Sequence, residues 1–372
     1  MRKALLLLVA LCLAGCGVSG TRVSPSPAKG RLRHSDRVLA TTLDGCTLDG
    51  AGGCSHLPEG SRDLVARGPS SWSKCLTYFA LDPGGACLMY QDIGVAGPSG
   101  TTVLTESTAQ KEGFLATHDG ADITNPWGGT DLVVDLGKAG LCSAYLRSIE
   151  NHYAGHAWSG IFADDTNAWY NLWARGEPID GYSSPSDYWA RAVIPLLHCV
   201  TSGLHASRSA TVIPNIGEWP WHENLDNAAT TADGGHDEFY LMSASGEAES
   251  PSLVEAEYRE MRSTIAAGKL WLGEVHPFDP SALQYASCAA AIMGGDSPLV
   301  RVAVRTTYGL TAFRWDPLEG TKLGSPTDAV RHAIGSPAWS RSFANGDTLA
   351  VDTAAKTCTV RRRSQWREGA RP

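Results

Sequence analysis

Gly160-Ile161-Phe162-Ala163-Asp164-Asp165 is an apolar run of strand length that stops on two carboxylates. Side chains alternate along a strand, so Ile161, Ala163 and Asp165 share one face and Phe162 and Asp164 the other. While the chain stays extended, only one of the two aspartates can point the same way as Phe162. The other is left to bond backbone or ligand hydroxyls at the strand's rim.

Outward from this run, short β-rich segments alternate with longer helical ones. Before it, 63–66 reads as a first strand, 70–81 as a helix, 87–92 as a second strand, 132–135 as a third and 141–153 as a helix. After it, a helix over 185–199 opens on Ser184-Pro185-Ser186-Asp187, a good N-terminal cap. Then come a strand at 211–215, a weak sixth strand at 246–249 and a helix over 253–267. A seventh strand at 270–275, a helix over 281–293 and an eighth strand at 311–315 complete the series. Strand–helix alternation predicts a parallel sheet with helical crossovers, and eight units in about 280 residues match a (β/α)8 barrel. An open doubly wound sheet would carry a glycine-rich phosphate loop after its first strand, and Arg67-Gly68-Pro69 is not one. The expected fold is therefore α/β, a (β/α)8 TIM barrel over 41–320 with a short C-terminal β extension over 321–360 and a disordered tail over 361–372.

Met1-Arg2-Lys3 precedes an almost unbroken apolar run over 4–14. That run is too short to span a bilayer, which takes about 20 residues, and it fits the apolar region of a signal peptide over 1–15. It ends in Leu13-Ala14-Gly15-Cys16, which resembles the lipobox of bacterial lipoproteins and implies acylation at Cys16. Residues 16–40, rich in Ser, Pro, Gly and Arg, read as a lipidated cysteine and flexible tether. The expected location is outside the cytoplasm, lipid-anchored to the cell envelope.

Of 372 residues 43% are hydrophobic, enough for one large core, and the net charge of −8 argues against a nucleic-acid partner. Twelve tryptophans against seven phenylalanines suit flat apolar ligand faces such as sugar rings, though core packing explains any single one as well. Apart from Cys12 and Cys16, the cysteines are Cys46, Cys54, Cys75, Cys87, Cys142, Cys199, Cys288 and Cys358. An even number in an exported chain predicts disulfides. Cys46 with Cys54, and Cys142 with Cys199, are the pairs suggested by their places in the chain. No spacing is CxxC, which disfavours a zinc ribbon. No metal or cofactor is expected, and the chain is expected to act as a monomer.

The predicted strands share carboxylates at their C-terminal ends: Asp92, Asp135, Asp164 with Asp165, Glu218 after the fifth, Glu247 and Glu249 at the sixth, and Glu274 on the seventh. In a (β/α)8 barrel those ends build the active site. Converging carboxylates repel one another, so a ring of them points to chemistry, and glycosidic-bond cleavage requires two. Tyr90, Asn215, Trp219, Trp221 and Trp315 are placed to line a sugar subsite beside them.

The 160–167 segment resembles the fourth-strand motif of glycosyl hydrolase-like family 15. Cys87 to Asp92 after Asp82-Pro83-Gly84 is similar to that family's second strand, and Val134-Asp135-Leu136-Gly137 to its third. Leu323-Gly324-Ser325-Pro326, followed by Trp339 to Gly346, is similar to its closing region. The resemblance covers most of 60–352. It implies a barrel-type glycoside hydrolase with a catalytic aspartate ending strand four and an acidic partner ending strand six. Asp164 matches the first. Glu247 and Glu249 both stand for the second, because Gly246-Glu247-Ala248-Glu249 lacks the apolar residues expected before the acid. Asp165, Tyr90, Asp92, Asp135, Asn215, Glu218, Trp219, Glu274 and Trp315 are the expected substrate contacts.

Two other readings stand beside this one. A barrel of the same kind could bind polysaccharide without cleaving it. Adjacent aspartates near His152-x3-His156 also suggest a metal-dependent carbohydrate deacetylase, although there the aspartates precede the histidines. No Gly-x-Ser-x-Gly elbow supports an esterase.

Overall fold

The computed structural model describes residues 39–44, 64–68, 70, 72–81, 86–98, 101–127, 129–167, 169–217, 231–243, 245–274, 280–294, 297, 299–305 and 323–362. The leader, Cys16, Cys46, Cys54, Glu218, Trp219, Trp221 and Trp315 lie outside the described residues.

Among the described residues eight parallel strands form a ring: β1 (Leu39–Asp44), β2 (Leu64–Arg67), β3 (Ala86–Ala96), β4 (Gly160–Asp164), β5 (Thr211–Gly217), β6 (Gly234–Asp237), β7 (Leu270–Glu274) and β8 (Val300–Arg305). Each pairs with the next, from β1 on β2 through β7 on β8. The pairing of β8 with β1 closes the ring. The fold is thus the α/β barrel expected from the alternation, with a four-stranded antiparallel sheet after it: β9 (Arg331–His332), β10 (Ala338–Ser342), β11 (Thr348–Asp352) and β12 (Thr357–Arg361).

The strands are counted differently from the sequence expectation. The expected first and second strands are β2 and β3, because β1 straddles the boundary expected between tether and barrel, where the sequence predicts no strand. Leu132–Val133 is not a barrel strand but a short antiparallel flap on the end of β3. The sixth strand is Gly234–Asp237, not 246–249, where Met242 and Ala248 form only an isolated antiparallel bridge. The eighth is Val300–Arg305, and 311–315 lies outside the described residues. β6 escapes apolar patterning because it begins Gly-Gly. A Cβ at Gly234 would lie 2.7 Å from that of Leu270, so the strand can pair with β7 there only without a side chain.

Among the described residues the five longest helices are α1 (Trp72–Leu81), α2 (Leu141–Tyr153), α3 (Ile194–Arg208), α4 (Pro251–Ala266) and α5 (Pro280–Gly294). Ser184 caps the short helix before α3, accepting the Asp187 N–H at 3.1 Å. One face of α2 buries Leu141, Ala144, Tyr145, Ile149 and Tyr153, the three-and-four spacing of an amphipathic helix. The same spacing in α4 buries Val254, Glu257, Met261 and Thr264, so one carboxylate lies in its apolar stripe.

Most of the core lies between strands and helices. The barrel interior holds a small separate cluster of Ala86, Leu88, Phe162, Ile213, Leu270 and Leu272. Above it the inward positions turn polar, which leaves the top of the barrel for binding or chemistry. Cys142–Cys199 ties α2 to α3 as expected, Cys75–Cys87 ties α1 to β3, and Cys288–Cys358 ties α5 to β12. No helix among the described residues is long and apolar enough to cross a membrane.

Candidate active site

Alternation on β4 turns Phe162 and Asp164 toward the barrel axis, and the neighbouring strands bring Tyr90 of β3 and Asn215 of β5 beside them. The Tyr90 hydroxyl donates to Asp164 Oδ2. Asn215 Nδ2 donates to Asp164 Oδ1 at 2.7 Å, and the Asp165 N–H donates to the same oxygen at 3.0 Å. Three donors therefore converge on one carboxylate.

The same Asn215 nitrogen lies 3.1 Å from Oε2 of Glu238, the residue that directly follows β6. The orientation of this amide is set by its other end, where Oδ1 accepts the Gly217 N–H at 3.0 Å. Asn215 is only 6% exposed, and the Thr166 hydroxyl, donating to its carbonyl, fastens it to the loop after β4. One buried amide thus bridges two carboxylates on strands two apart. Both oxygens lie within hydrogen-bond reach of one nitrogen, so they are at most about 6 Å from each other, near the carboxyl spacing of retaining glycosidases.

Burial, then the charge of Glu238, pushes the Asp164 carboxyl above the usual range, against the three hydrogen bonds that favour its charged form. Burial also drives the Tyr90 phenol far above its ordinary value, so Tyr90 stays a donor. Beside them, Asp92 and Asp165 are hydrogen-bonded to each other. Burial and the charge of Asp164 push Asp92 up to about 8, and Asp165 is raised as well. Their contact depends on Gly94, where a Cβ would lie 2.6 Å from both Asp165 Cβ and the Trp169 ring. Asp165 and Trp169 both have left-handed backbone, with φ of 53° and 52°. Strain at two non-glycine residues in one short loop is often found at functional sites.

Below the carboxylates lies a polar and aromatic floor. The Phe162 ring stacks against Tyr90, with centroids 6.1 Å apart, and meets His236 edge-on at 5.2 Å. His236 Nε2 lies 3.2 Å from Glu274 Oε2, with both side chains fully buried. Register sets the fully buried Arg301 beside Leu272 on the same inward side.

Of the expected site residues, Tyr90, Asp92, Asp164, Asp165 and Asn215 come together, with Glu274 beneath them. Asp135 does not join them. It lies under the flap, accepting from Tyr182 Oη at 2.9 Å and the Gly137 N–H at 3.0 Å. Glu247 is exposed in a turn closed by its N–H to Ser243 Oγ. Glu249 is buried against Glu257 of α4, and the neighbouring charge that raises Asp164 is that of Glu238. The acid that faces Asp164 is Glu238, which sequence reasoning missed along with His236. A signal existed: a barrel strand must fall between β5 and the helix at 251, and Gly234, His236 and Glu238 alternate there toward one face.

Among the described tryptophans, Trp158, Trp169, Trp189, Trp271 and Trp339 are buried, and only Trp127, at 66%, is exposed. Core packing accounts for five of the eight described tryptophans. His152 Nδ1 lies 2.9 Å from Gln91 Oε1, and His156 stacks on Trp72, so neither supports a metal-dependent deacetylase. Among the described residues, one group has metal-ligand spacing: His118, Asp119 and Asp180. Asp180 there accepts the N–H groups of Asp119 and Gly120, each at 3.1 Å, which makes it the cap of a hairpin.

No family model matches the chain and no curated protein does, so the likeness to glycosyl hydrolase-like family 15 rests on its short motifs. Several solved structures have a similar fold. A cycloisomaltooligosaccharide glucanotransferase from Paenibacillus sp., complexed with cycloisomaltoheptaose, is 13% identical over 64% of this chain and 38% of its own, with a TM-score of 0.42. A trehalose-6-phosphate hydrolase of Bacillus licheniformis is 8% identical over 73% of this chain and 64% of its own, with a TM-score of 0.48. A noncanonic maltogenic α-amylase, AmyB, from Thermotoga neapolitana is 8% identical over 86% of both chains, with a TM-score of 0.47. The chain spans less than two thirds of the length of the first two.

Proposed function

We propose that this chain is a retaining glycoside hydrolase in which Asp164 is the nucleophile and Glu238 the general acid and base. The observation that carries the reading is the single Asn215 amide bonded to both carboxylates at the C-terminal ends of β4 and β6. Two carboxylates so close cannot both ionise cheaply, and one proton between them is the state a glycosidase needs before the bond breaks. Tyr90, Asn215 and the Asp165 N–H all donate to Asp164, and these three bonds orient it as the nucleophile and favour its charged form against burial.

In the first step an Asp164 oxygen attacks the anomeric carbon while Glu238 gives its proton to the departing glycosidic oxygen. In the second, Glu238 takes a proton from water, which displaces Asp164 from the sugar. Tyr90 and Asn215 hold Asp164 in line, and Phe162 and His236 shape the floor of the sugar subsite.

Family 15 membership, export and lipid anchoring at Cys16 belong to the same reading. The three disulfides support an oxidising compartment. Loss of membrane association in Cys16→Ser would support the anchor, and unchanged fractionation would refute it. The catalytic test is a screen of poly- and oligosaccharides with the anomeric form of the first product followed by NMR. Retained configuration, lost in Asp164→Asn, is the expected result. Inversion would refute the roles of nucleophile and acid–base for this pair. Near-full activity of Asp164→Asn would leave the barrel a carbohydrate-binding protein or move its chemistry elsewhere.

A further inference from the structure

The segment carrying Glu238 is fastened at several points, and the most unusual one lies outside the barrel. The Glu238 N–H donates to the Gly217 carbonyl at 3.2 Å and the Tyr240 N–H to the Glu274 carbonyl at 2.8 Å, which tie its start to β5 and β7. Leu241, fully buried, then takes a left-handed conformation with φ of 63°. A branched side chain disfavours that region, so something must hold the residue there. Its N–H donates at 2.9 Å to Glu257 Oε1, from the buried stripe of α4. The Leu241 carbonyl accepts the Glu249 N–H at 3.3 Å, and the Glu249 and Glu257 side chains are hydrogen-bonded to each other. Backbone and side chain thus bind residues 241 and 249 to one helix.

We infer that Glu257, with Glu249 as its partner, is a positioning residue that holds the 238–249 segment so that Glu238 faces Asp164 across Asn215. The inference rests on the proposed role of Glu238. Glu257 touches neither Asp164 nor Asn215, and it is 1% exposed behind the strand. A buried carboxyl on an apolar helix face is costly unless its hydrogen bonds are needed. Here one oxygen serves a strained backbone N–H, and the carboxyl is also hydrogen-bonded to Glu249. Asp237 of β6, Tyr240 of the same segment and Tyr285 of α5 complete its titratable surroundings.

Glutamine can accept from Leu241 and donate to Glu249, whereas methionine fills the space and does neither. Glu257→Met should lower kcat about 100-fold with little change in KM, because a displaced acid loses transition-state contacts and not substrate binding. Glu257→Gln should stay within about threefold of wild type in kcat. Amide hydrogen exchange supplies a readout that needs no substrate: Leu241 and Glu249 should exchange at least about tenfold faster in Glu257→Met and unchanged in Glu257→Gln. Glu249→Ala leaves the Leu241 bond in place and should cost about tenfold in kcat. A wild-type kcat in Glu249→Ala would overturn the inference even if Glu257→Met failed to fold. A fall of several orders in Glu249→Ala would also overturn it, by making Glu249 the acid itself. Unchanged exchange in Glu257→Met, or equal damage from glutamine and methionine, would do the same. A wild type that cleaves no glycoside refutes the proposed function instead, and the exchange comparison then decides this inference alone.

Discussion

Where β4 runs Gly160-Ile161-Phe162-Ala163-Asp164, with three apolar side chains sunk in protein, β6 runs Gly234-Gly235-His236-Asp237 and has none. Both end beside a carboxylate of the candidate pair. β4 is anchored by its own residues: burying Ile161 and Phe162 contributes about 1.5–3 kcal/mol each. β6 is held by its neighbours, through backbone bonds to β5 and β7, the His236–Glu274 contact and the tie to Glu257. The hydrogen bonds among these contribute about 1 kcal/mol each, and only while both partners are present. A site can thus pair a self-supporting half with a borrowed one, and the borrowed half depends on residues far along the chain.

Four measurements would break or sharpen this contrast. The largest effect belongs to Glu238→Gln, expected to lower kcat by about three orders of magnitude or more in steady-state assays. Glu247→Gln should leave kcat unchanged, and the opposite ranking would return strand six to 246–249. Next is Asn215→Ala, which removes a donor shared by both acids and should cost about 100-fold in kcat. An equal loss in binding without loss in kcat would show that the amide holds substrate and not the carboxylates.

Gly94→Ala tests the self-supporting half. Its methyl group would collide with Asp165 and Trp169 and should destabilise the fold by about 1–3 kcal/mol in urea titration. A neutral result would mean that the loop after β4 yields easily. The smallest effect is a pH dependence. Asp92 titrates near 8 when folded and near 3.9 in an unfolded chain, so the folded state holds more protons between those values. Stability should therefore fall as pH rises from about 4 to about 8 and level off above. Asp92→Asn should make that slope shallower in Tm measured across pH. Parallel wild-type and variant curves would show that Asp92 is already ionised at low pH.

The contrast between β4 and β6 also separates what could be read in the sequence from what could not. Apolar runs found β2, β3, β4, β5 and β7, and in β3, β4, β5 and β7 the buried side chains account for the pattern; strand–helix alternation then implied the barrel. Asp164, Asp165, Asp92, Tyr90 and Asn215 were legible for the same reason: each lies at or near the expected end of a strand that patterning locates, and in a barrel the C-terminal ends converge. Cys142 with Cys199 followed from two adjacent helices. Periodicity could not find β6, whose glycines make room for β7 and whose inward histidine is matched by Glu274 from a strand more than thirty residues away. Nor could it reject 132–135, since an antiparallel flap and a barrel strand bury their side chains alike. Choosing Glu238 over Glu247 and Glu249 required closure of the ring. A carboxylate's neighbours depend on which strands pair and in what register, and for β6 those pairings are set by residues on β5, β7 and α4, not by its own.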